Sequence, residues 1–228
     1  MESDIFFQTI SKINSLLFLV LLVMGLGLAS YIIVDISSWN NKGALQVNED
    51  PKDLTSEKVE LVLESLVEIE GSSSQYVQLR SKAEGGKFSS RYGGEIRNVL
   101  FIHEDKNSTS WLLKDHKNII IRHDKLKGGD TKTSKVLAHL YQVVDKDTDG
   151  DEMLTRDDQV TLSLSKPDGS DYREIIKGVT SIVDTNVKLD ESSLSVLAQL
   201  NGEVYLYSIS LSDFEILKKI KVLDVGGW

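Results

Sequence analysis

The feature that most constrains this chain is an uninterrupted apolar segment near its N-terminus. Residues 13–34 contain no charged side chain, and nearly all of these 22 residues are apolar. At about 1.5 Å of rise per residue, a helix of this length crosses the roughly 30 Å hydrocarbon core of a bilayer. A helix that is apolar on every face needs either lipid or a larger protein around it. The segment therefore predicts a transmembrane helix over residues 13–36, preceded by a short tail over residues 1–12.

A cleaved signal peptide is the rival interpretation of this segment. Lys12 would be its charged region, and the stretch from Gly27 to Ala29 would supply small residues for a cleavage site. The apolar run continues to Val34, however, whereas the apolar region of a signal peptide usually spans about 7–15 residues. The greater length favours an uncleaved signal-anchor in the inner or plasma membrane.

The charges on the two sides of the segment bear on its orientation. Lys12 and the amino terminus precede it together with Glu2 and Asp4, and Lys42 is the first basic residue after it. These charges nearly balance, so the positive-inside rule does not separate the two orientations. A short tail before a single span more often stays in the cytoplasm, and we therefore expect the rest of the chain to be periplasmic or otherwise extracytoplasmic.

The composition narrows the classes of partner and of chemistry. The chain has 26 basic and 35 acidic residues, which gives a formal net charge of −9. Because negative charge opposes binding to phosphate backbones, we expect no nucleic-acid partner. Cysteine is absent, which excludes disulfides, thiolate metal sites and thiol catalysis. The residues after the apolar segment suffice for one ordinary domain with its own core.

The C-terminal quarter gives the clearest indication of fold. Asn201-Gly202 separates two runs of alternating apolar residues. This pattern is typical of a β-hairpin, because a type I′ turn requires positive φ at both central residues. Two flanking runs extend the hairpin to four strands that resemble one blade of a β-propeller. The four predicted strands are residues 180–189, 193–200, 203–210 and 214–223.

The remainder of the domain also indicates β-structure, although less regularly. After a polar linker over residues 37–56, residues 58–71 fit helical spacing in part and strand alternation in part. The Gly- and Ser-rich turn that follows favours strands and a hairpin. Short apolar runs between polar turns predict further strands from Asn98 to Ser165. We therefore expect a mainly β protein with an antiparallel β domain over residues 57–228, either a sandwich or a partial propeller.

Residues 145–158 form the one motif that carries chemistry, with acidic residues at alternate positions. Ca²⁺ takes six to eight oxygen ligands, which such a loop can supply. A twelve-residue loop that began at Asp145 would end at Arg156, which cannot coordinate a cation. A loop that begins at Asp147 ends on a carboxylate and places the apolar Leu154 at its eighth position. The ligands predicted by this register are Asp147, Asp149, Asp151, the main-chain carbonyl of Met153, Thr155 and Asp158.

Residues 147–158 resemble the calcium loops of dockerins and thrombospondin-type repeats and, more loosely, those of EF-hands. The resemblance implies a structural Ca²⁺ ion held by the six predicted ligands. Glu152 stands at the sixth position, where glycine usually makes a sharp turn, and positive φ at a non-glycine residue costs about 1–3 kcal/mol. The residues after the loop indicate a strand rather than a helix, which favours a lone structural loop. The alternatives are a solvated acidic turn and a regulatory switch.

The sequence lacks the common catalytic motifs. It contains no HExxH, no GxSxG and no P-loop, and its histidines are interpreted as packed or surface residues. These histidines are His103, His116, His123 and His139.

An apolar anchor followed by a β domain with an acidic loop resembles membrane-anchored bacterial envelope proteins. We therefore expect a non-enzymatic domain that binds a partner protein or an envelope component. One alternative is an accessory subunit of a membrane complex, for which the small residues Gly25 and Ala29 would form a helix contact. The other is a hydrolase that uses scattered carboxylates.

Overall fold

The computed structural model describes residues 17–28, 45–46, 61–81, 94–129 and 134–224. These residues form one helix, α1 over residues 17–28, and fifteen strands, so the protein is mainly β as predicted. The chain divides into two units, residues 1–42 and residues 43–228. The strands are β1 Leu45–Gln46, β2 Leu61–Leu63, β3 Val67–Glu68, β4 Ser74–Ser81, β5 Ile96–His103, β6 Ser108–Trp111, β7 Ile119–Lys127, β8 Val136–Val144, β9 Met153–Leu154, β10 Val160–Ser165, β11 Arg173–Val179, β12 Ser181–Val187, β13 Ser193–Leu200, β14 Glu203–Ser210 and β15 Ile216–Asp224.

Helix α1 is the described part of the predicted transmembrane segment. Its large apolar side chains are exposed, from 46% for Leu22 to 68% for Phe18. No helix within the described residues is both long enough and apolar enough to cross a membrane. The other residues of the predicted span 13–36, the tail 1–12 and most of the linker 37–56 lie outside the described residues. The transmembrane helix therefore stays a prediction.

The strands form antiparallel sheets. The largest has nine strands in the order β11-β10-β8-β7-β5-β4-β2, with β3 also paired to β4 and β6 to β5. Strands β12 to β15 form a separate four-stranded sheet in sequence order, which confirms the predicted meander. Its central hairpin pairs Leu200 with Glu203, and Asn201 and Gly202 have φ of 49° and 79°. The type I′ hairpin is thus confirmed.

The described part of the ambiguous segment, residues 61–71, contains strands β2 and β3 rather than a helix. Strand β2 pairs with β4 through Leu61 and Ser81, and β3 pairs with β4 through Val67 and Tyr76. The strand interpretation and the hairpin that follows it are therefore confirmed.

Strand β8 lies at the centre of the fold and is buried on both faces. On one face, Leu140 packs in a core cluster with Leu162 of β10 and with Leu194 and Ile209 of the four-stranded sheet. On the other face, Tyr141 belongs to a second cluster. Because both faces are covered, the burial of β8 does not alternate along the strand.

The second cluster fills the space between two halves of the nine-stranded sheet. Among the described residues, β5 and β7 are joined by the single residue pair Ile96 and Ile120. Phe101 of β5 and Tyr141 of β8 both belong to the cluster, and the Phe101 ring lies 5.5 Å from the ring of His139 on β8. The two halves therefore face each other across these side chains.

Candidate functional site

The acidic loop connects β8 to β10 and is fastened to the core at its middle. Strand β9 lies within the loop, and its residue Leu154 pairs with Leu45 of β1. Leu154 is only 4% exposed and belongs to the first core cluster. The residue at the eighth position of the predicted loop therefore anchors it. Its partner β1 falls within residues 37–56, which were predicted to be a linker.

Three of the predicted ligands come together. Carboxylate oxygens of Asp147, Asp149 and Asp151 all lie within 4.8 Å of one another, close enough to share a metal ion. Main-chain amides of the loop orient these carboxylates. The amides of Gly150 and Glu152 donate to Asp147 at 2.7 and 2.8 Å.

The same pattern repeats at the other two carboxylates. The amide of Asp151 donates to Asp149 at 3.1 Å, and the amide of Met153 donates to Asp151 at 2.9 Å. The loop backbone therefore presents the three carboxylates on one side.

The carboxylates of the loop differ in their electrostatic environment. The hydrogen bond from the Gly150 amide is the main cause that lowers the pKa of Asp147. At Asp149 the amide of Asp151 lowers the pKa, but desolvation and the nearby carboxylates of Asp151, Asp158 and Asp147 outweigh it, and the net shift is upward. A cation placed among these groups would relieve that repulsion.

The backbone of the loop turns sharply at two residues. Gly150 has φ of 82°, and Glu152 has φ of 64°. Glu152 is therefore in the left-handed region, at the position where the register from Asp147 requires a turn and where calcium loops usually carry glycine. This conformation is strained for a residue with a side chain.

Asp158 closes the loop through hydrogen bonds. Its side chain is buried, at 2% exposure. One carboxylate oxygen accepts bonds from the amide and hydroxyl of Thr148 at 2.5 and 3.0 Å, and the other accepts a bond from the amide of Thr155 at 2.8 Å. The hydroxyl of Thr155 accepts a bond from the amide of Asp157. In this arrangement Asp158 and Thr155 join the two ends of the loop, beside the three clustered carboxylates.

A second polar cluster lies in the core and was not predicted from the sequence. Nε2 of His123 on β7 lies 2.9 Å from Nδ1 of His139 on β8. The rings are packed among aromatic side chains, with Tyr141 stacked on His123 at a centroid distance of 4.7 Å and Tyr76 at 4.8 Å. Burial disfavours the charged imidazole, which lowers the pKa of His139 to about 4 and that of His123 well below its ordinary value.

The histidine pair arises from strand register, which the sequence does not display. His123 pairs with Tyr141 and His139 pairs with Lys125, so the two imidazoles are diagonal neighbours on one face. A bulge near Ile121 shifts this register. Both histidines lie in apolar runs, and only the pairing of β7 with β8 brings them together.

A third histidine borders an open surface pocket at the hairpin of β5 and β6. Nδ1 of His103 lies 3.1 Å from the Ser74 hydroxyl, and Nε2 lies 2.9 Å from the Ser110 hydroxyl. The nearby Glu104 carboxylate accepts a hydrogen bond from Gln75. Both ring nitrogens of His103 therefore contact hydroxyl groups. The pocket is lined by Ile102, His103, Glu104, Asn107, Ser108 and Thr109.

The chain matches no protein-family model, and no curated protein shares significant sequence similarity with it.

Proposed function

We propose that this protein is a membrane-anchored, non-enzymatic β domain with one structural Ca²⁺ site, and that the domain binds a partner protein or an envelope component. The observation that carries the proposal is the approach of three carboxylates, Asp147, Asp149 and Asp151, within 4.8 Å. Such a set of hard oxygen donors suits Ca²⁺, which binds oxygen at about 2.3–2.6 Å.

The surroundings of the loop favour a structural role for the ion over a switching role. The loop runs between β8 and β10, and Leu154 fixes its middle in the core. A sensor loop needs an element that moves when the ion binds. Here the flanking elements are buried strands, so a bound ion would stabilise the connection between them.

Calcium titration of the purified full-length chain in detergent tests the metal site. We expect calorimetric binding in the micromolar-to-millimolar range and a raised melting temperature with Ca²⁺. Asp149→Asn keeps the shape of the side chain and removes its charge, and it should weaken binding at least about tenfold. Asp157→Asn changes an exposed carboxylate outside the predicted ligand set and serves as the matched control. Absence of both heat and thermal shift in the unaltered chain would reject the Ca²⁺ site.

The anchor rests on the uncharged segment 13–34 and on the exposed apolar side chains of α1. A chain held by a lipid-spanning helix should stay in the membrane pellet after alkaline carbonate extraction. Replacing Leu22 and Val23 by arginine should move it to the supernatant, since each charge at the centre of a span costs about 2.5–3.5 kcal/mol. Leu22→Val/Val23→Leu is the apolar control. Release of the unaltered chain by carbonate would reject the anchor.

A second candidate function is that of an accessory subunit in a membrane complex. Gly25 and Gly27 lie on α1 with open space where a Cβ atom would stand. Small residues of this kind let the backbones of two helices approach closely. Replacing Gly25 by leucine should then abolish co-purification of a membrane partner from detergent, whereas Leu22→Ile should preserve it. Equal recovery of the partner with both variants would argue for binding through the β domain instead.

A further inference from the structure

Four hydrogen bonds between partly buried groups run in series from Arg80 to Pro167. Arg80 Nη2 donates to Gln78 Oε1 at 2.8 Å, and Gln78 Nε2 lies 3.1 Å from His123 Nδ1. His123 Nε2 lies 2.9 Å from His139 Nδ1, and His139 Nε2 lies 3.0 Å from the carbonyl oxygen of Pro167. The series connects β4, β7, β8 and the turn after β10. We call it the histidine chain.

The two ends of the histidine chain fix the direction of every bond in it. A guanidinium only donates and a carbonyl oxygen only accepts, so His139 must carry its proton on Nε2. A neutral imidazole then has a bare Nδ1, which accepts from Nε2 of His123. Nδ1 of His123 is bare for the same reason and accepts from the Gln78 amide. Only one arrangement of protons therefore satisfies all four bonds.

An added proton disrupts the histidine chain. A proton on Nδ1 of His139 faces the N–H of His123 unless His123 moves its own proton to Nδ1. That proton then faces the NH₂ group of Gln78. If the side-chain amide of Gln78 rotated to offer its oxygen instead, its NH₂ group would face the guanidinium of Arg80. A contact between two donors thus arises at one link in every case, and buried donors without an acceptor are costly.

Arg80, at one end of the histidine chain, can move more easily than His139, near the other end. Its side chain is 23% exposed, whereas His139 is 0% exposed and packed among aromatic rings. A charge on the imidazole pair would also repel Arg80 and Lys125, while Asp168 and Glu70 would attract it. The titratable groups around the pair are Lys125 on β7, Arg80 and Tyr76 on β4, Tyr141 on β8, Glu70 between β3 and β4, and Asp168 in the turn after β10.

Arg80 also holds the edge of the nine-stranded sheet. Its Nε lies 2.8 Å from Oε1 of Glu64, which directly follows β2, and its Nη1 donates to the carbonyl of Gly94 at 2.9 Å. The amide of Glu64 in turn donates to the main-chain carbonyl of Gln78. Arg80 therefore connects the histidine chain to strand β2.

We propose that the imidazoles of His123 and His139 form a proton-responsive latch. Uptake of one proton by the pair breaks the link between Gln78 and Arg80, and Arg80 then leaves Glu64 and Gly94. The loss of these contacts frees strand β2 from β4 at the sheet edge. At neutral pH the pair is uncharged and the edge is held.

Imidazole NMR of the full-length chain in detergent tests the first step. At pH 7.5 both His123 and His139 should show the neutral tautomer with the proton on Nε2, as the chain of donors requires. A proton on Nδ1 of either residue at this pH would overturn the proposal. This measurement needs no substitution, so it stands even if a variant fails to fold.

Hydrogen exchange, expressed as protection factors to remove the intrinsic effect of pH, tests the release of β2. Between pH 7.5 and 4.5 the Glu64 amide should lose at least about tenfold of its protection. Amides paired between β13 and β14 should keep theirs, because residues 181–224 contain no histidine. An equal loss in both places would mean general acid unfolding and would overturn the latch.

Two variants separate the latch from a merely acid-sensitive edge. Gln78→Leu removes the link between the imidazoles and Arg80, so protection of the Glu64 amide should no longer depend on pH. His103→Asn removes a histidine outside the chain and should retain the full response. Retention of the response in Gln78→Leu, or its loss in His103→Asn, would overturn the proposal.

Discussion

The four-stranded sheet and the nine-stranded sheet bury their residues in different ways. In the four-stranded sheet one face enters the core, as with Val196 and Ile209, and the other face carries exposed residues such as Leu206. In the nine-stranded sheet β8 and β10 are covered on both faces, and one of those faces carries polar residues such as His139 and Ser163. The core face of the first sheet is mainly apolar, whereas the second sheet also buries polar side chains that are joined by hydrogen bonds.

The polar face of β10 shows how the nine-stranded sheet supplies hydrogen-bond partners for its buried polar side chains. Val160, Leu162 and Leu164 enter the core between the sheets, while Ser163 and Ser165 face the aromatic cluster. The Tyr172 hydroxyl donates to Ser163 at 3.0 Å, and the Tyr141 hydroxyl lies 3.0 Å from the Ser165 hydroxyl. The hydroxyls of Ser163 and Ser165 therefore each have a tyrosine hydroxyl as hydrogen-bond partner on the polar face of β10. Damage to such a network should cost more than the same change on a solvated face.

Truncation of one side chain on each sheet should give the largest difference in the free energy of unfolding. Leu140 on β8 is fully buried, so Leu140→Ala should lower the free energy of unfolding by about 2–5 kcal/mol. Leu206 on the outer face of the four-stranded sheet is 36% exposed, and Leu206→Ala should cost less than about 1 kcal/mol. Urea unfolding measures both values, and similar costs would contradict the distinction between the sheets.

Acidification should weaken the nine-stranded sheet through its buried His139. The folded chain holds the pKa of His139 at about 4, mainly through burial, below its ordinary value of 6.5. Between these values the unfolded chain binds a proton that the folded chain does not. The free energy of unfolding should therefore fall as the pH decreases from 6.5 to about 4, by roughly 3 kcal/mol for this group.

Urea unfolding at several pH values between 7.5 and 4 checks this dependence. His139→Gln offers one donor and one acceptor without titrating, and it should reduce the slope in this range. An unaltered slope in His139→Gln would show that other groups cause the acid sensitivity.

Removal of one hydroxyl group from each sheet should give a smaller difference in the free energy of unfolding. Tyr141→Phe leaves the buried Ser165 hydroxyl without its tyrosine partner and should cost about 1–2 kcal/mol. The Tyr205 hydroxyl bonds to Glu203 near one end of β14 in the four-stranded sheet, and Tyr205→Phe should leave the unfolding free energy unchanged within error. Thermal and urea unfolding of the two variants measure the difference. The Ser165 hydroxyl also donates to the carbonyl of Lys166. Losses in Tyr141→Phe and Ser165→Ala that do not add in the double variant would therefore confirm that the cost comes from the hydrogen bond between the two side chains.

Neutralisation of one acidic side chain that forms an ion pair in each sheet should give the smallest difference in the free energy of unfolding. Glu70 contacts Lys125 at 2.8 Å and Lys127 at 2.6 Å, and its hydrogen bonds to these lysines lower its pKa to about 2. Since the pair is partly solvated, Glu70→Gln should cost only about 1 kcal/mol. This stabilisation is present above pH 4.5 and is lost as the pH falls towards 2.

The matching pair in the four-stranded sheet is Glu203 with Lys221. Lys221 is more exposed than Lys125 and Lys127, so Glu203→Gln should leave the unfolding free energy unchanged within error. Chemical unfolding at pH 7 and at pH 3 measures both variants. A loss for Glu70→Gln that persists unchanged at pH 3 would show that lost packing, not lost charge, causes it.

The two sheets also differ in how far they could be predicted. Asn201-Gly202 and the alternation around it predicted the meander, since a strand with one buried face displays that face as a period of two. The spacing of Asp147, Asp149 and Asp151 likewise predicted that these carboxylates would come together. The inward position of Asp158 against Thr148 and the pairing of Leu45 with Leu154 were not predicted. Both depend on where distant segments meet.

The sequence by itself determined the β class, the C-terminal meander, the hairpin turn and the cluster of loop carboxylates, because each depends on residues close together in the chain. Only the tertiary structure decided that His123 and His139 share a hydrogen bond and that Arg80 holds the edge at Glu64. The pairing of β7 with β8 and the folding of one half of the nine-stranded sheet over the other bring these groups together. Alternation of apolar residues and the residues of a turn can be read directly from the sequence. Contacts between distant strands depend on strand register instead, and irregularities in the pairing of β7 with β8 change that register.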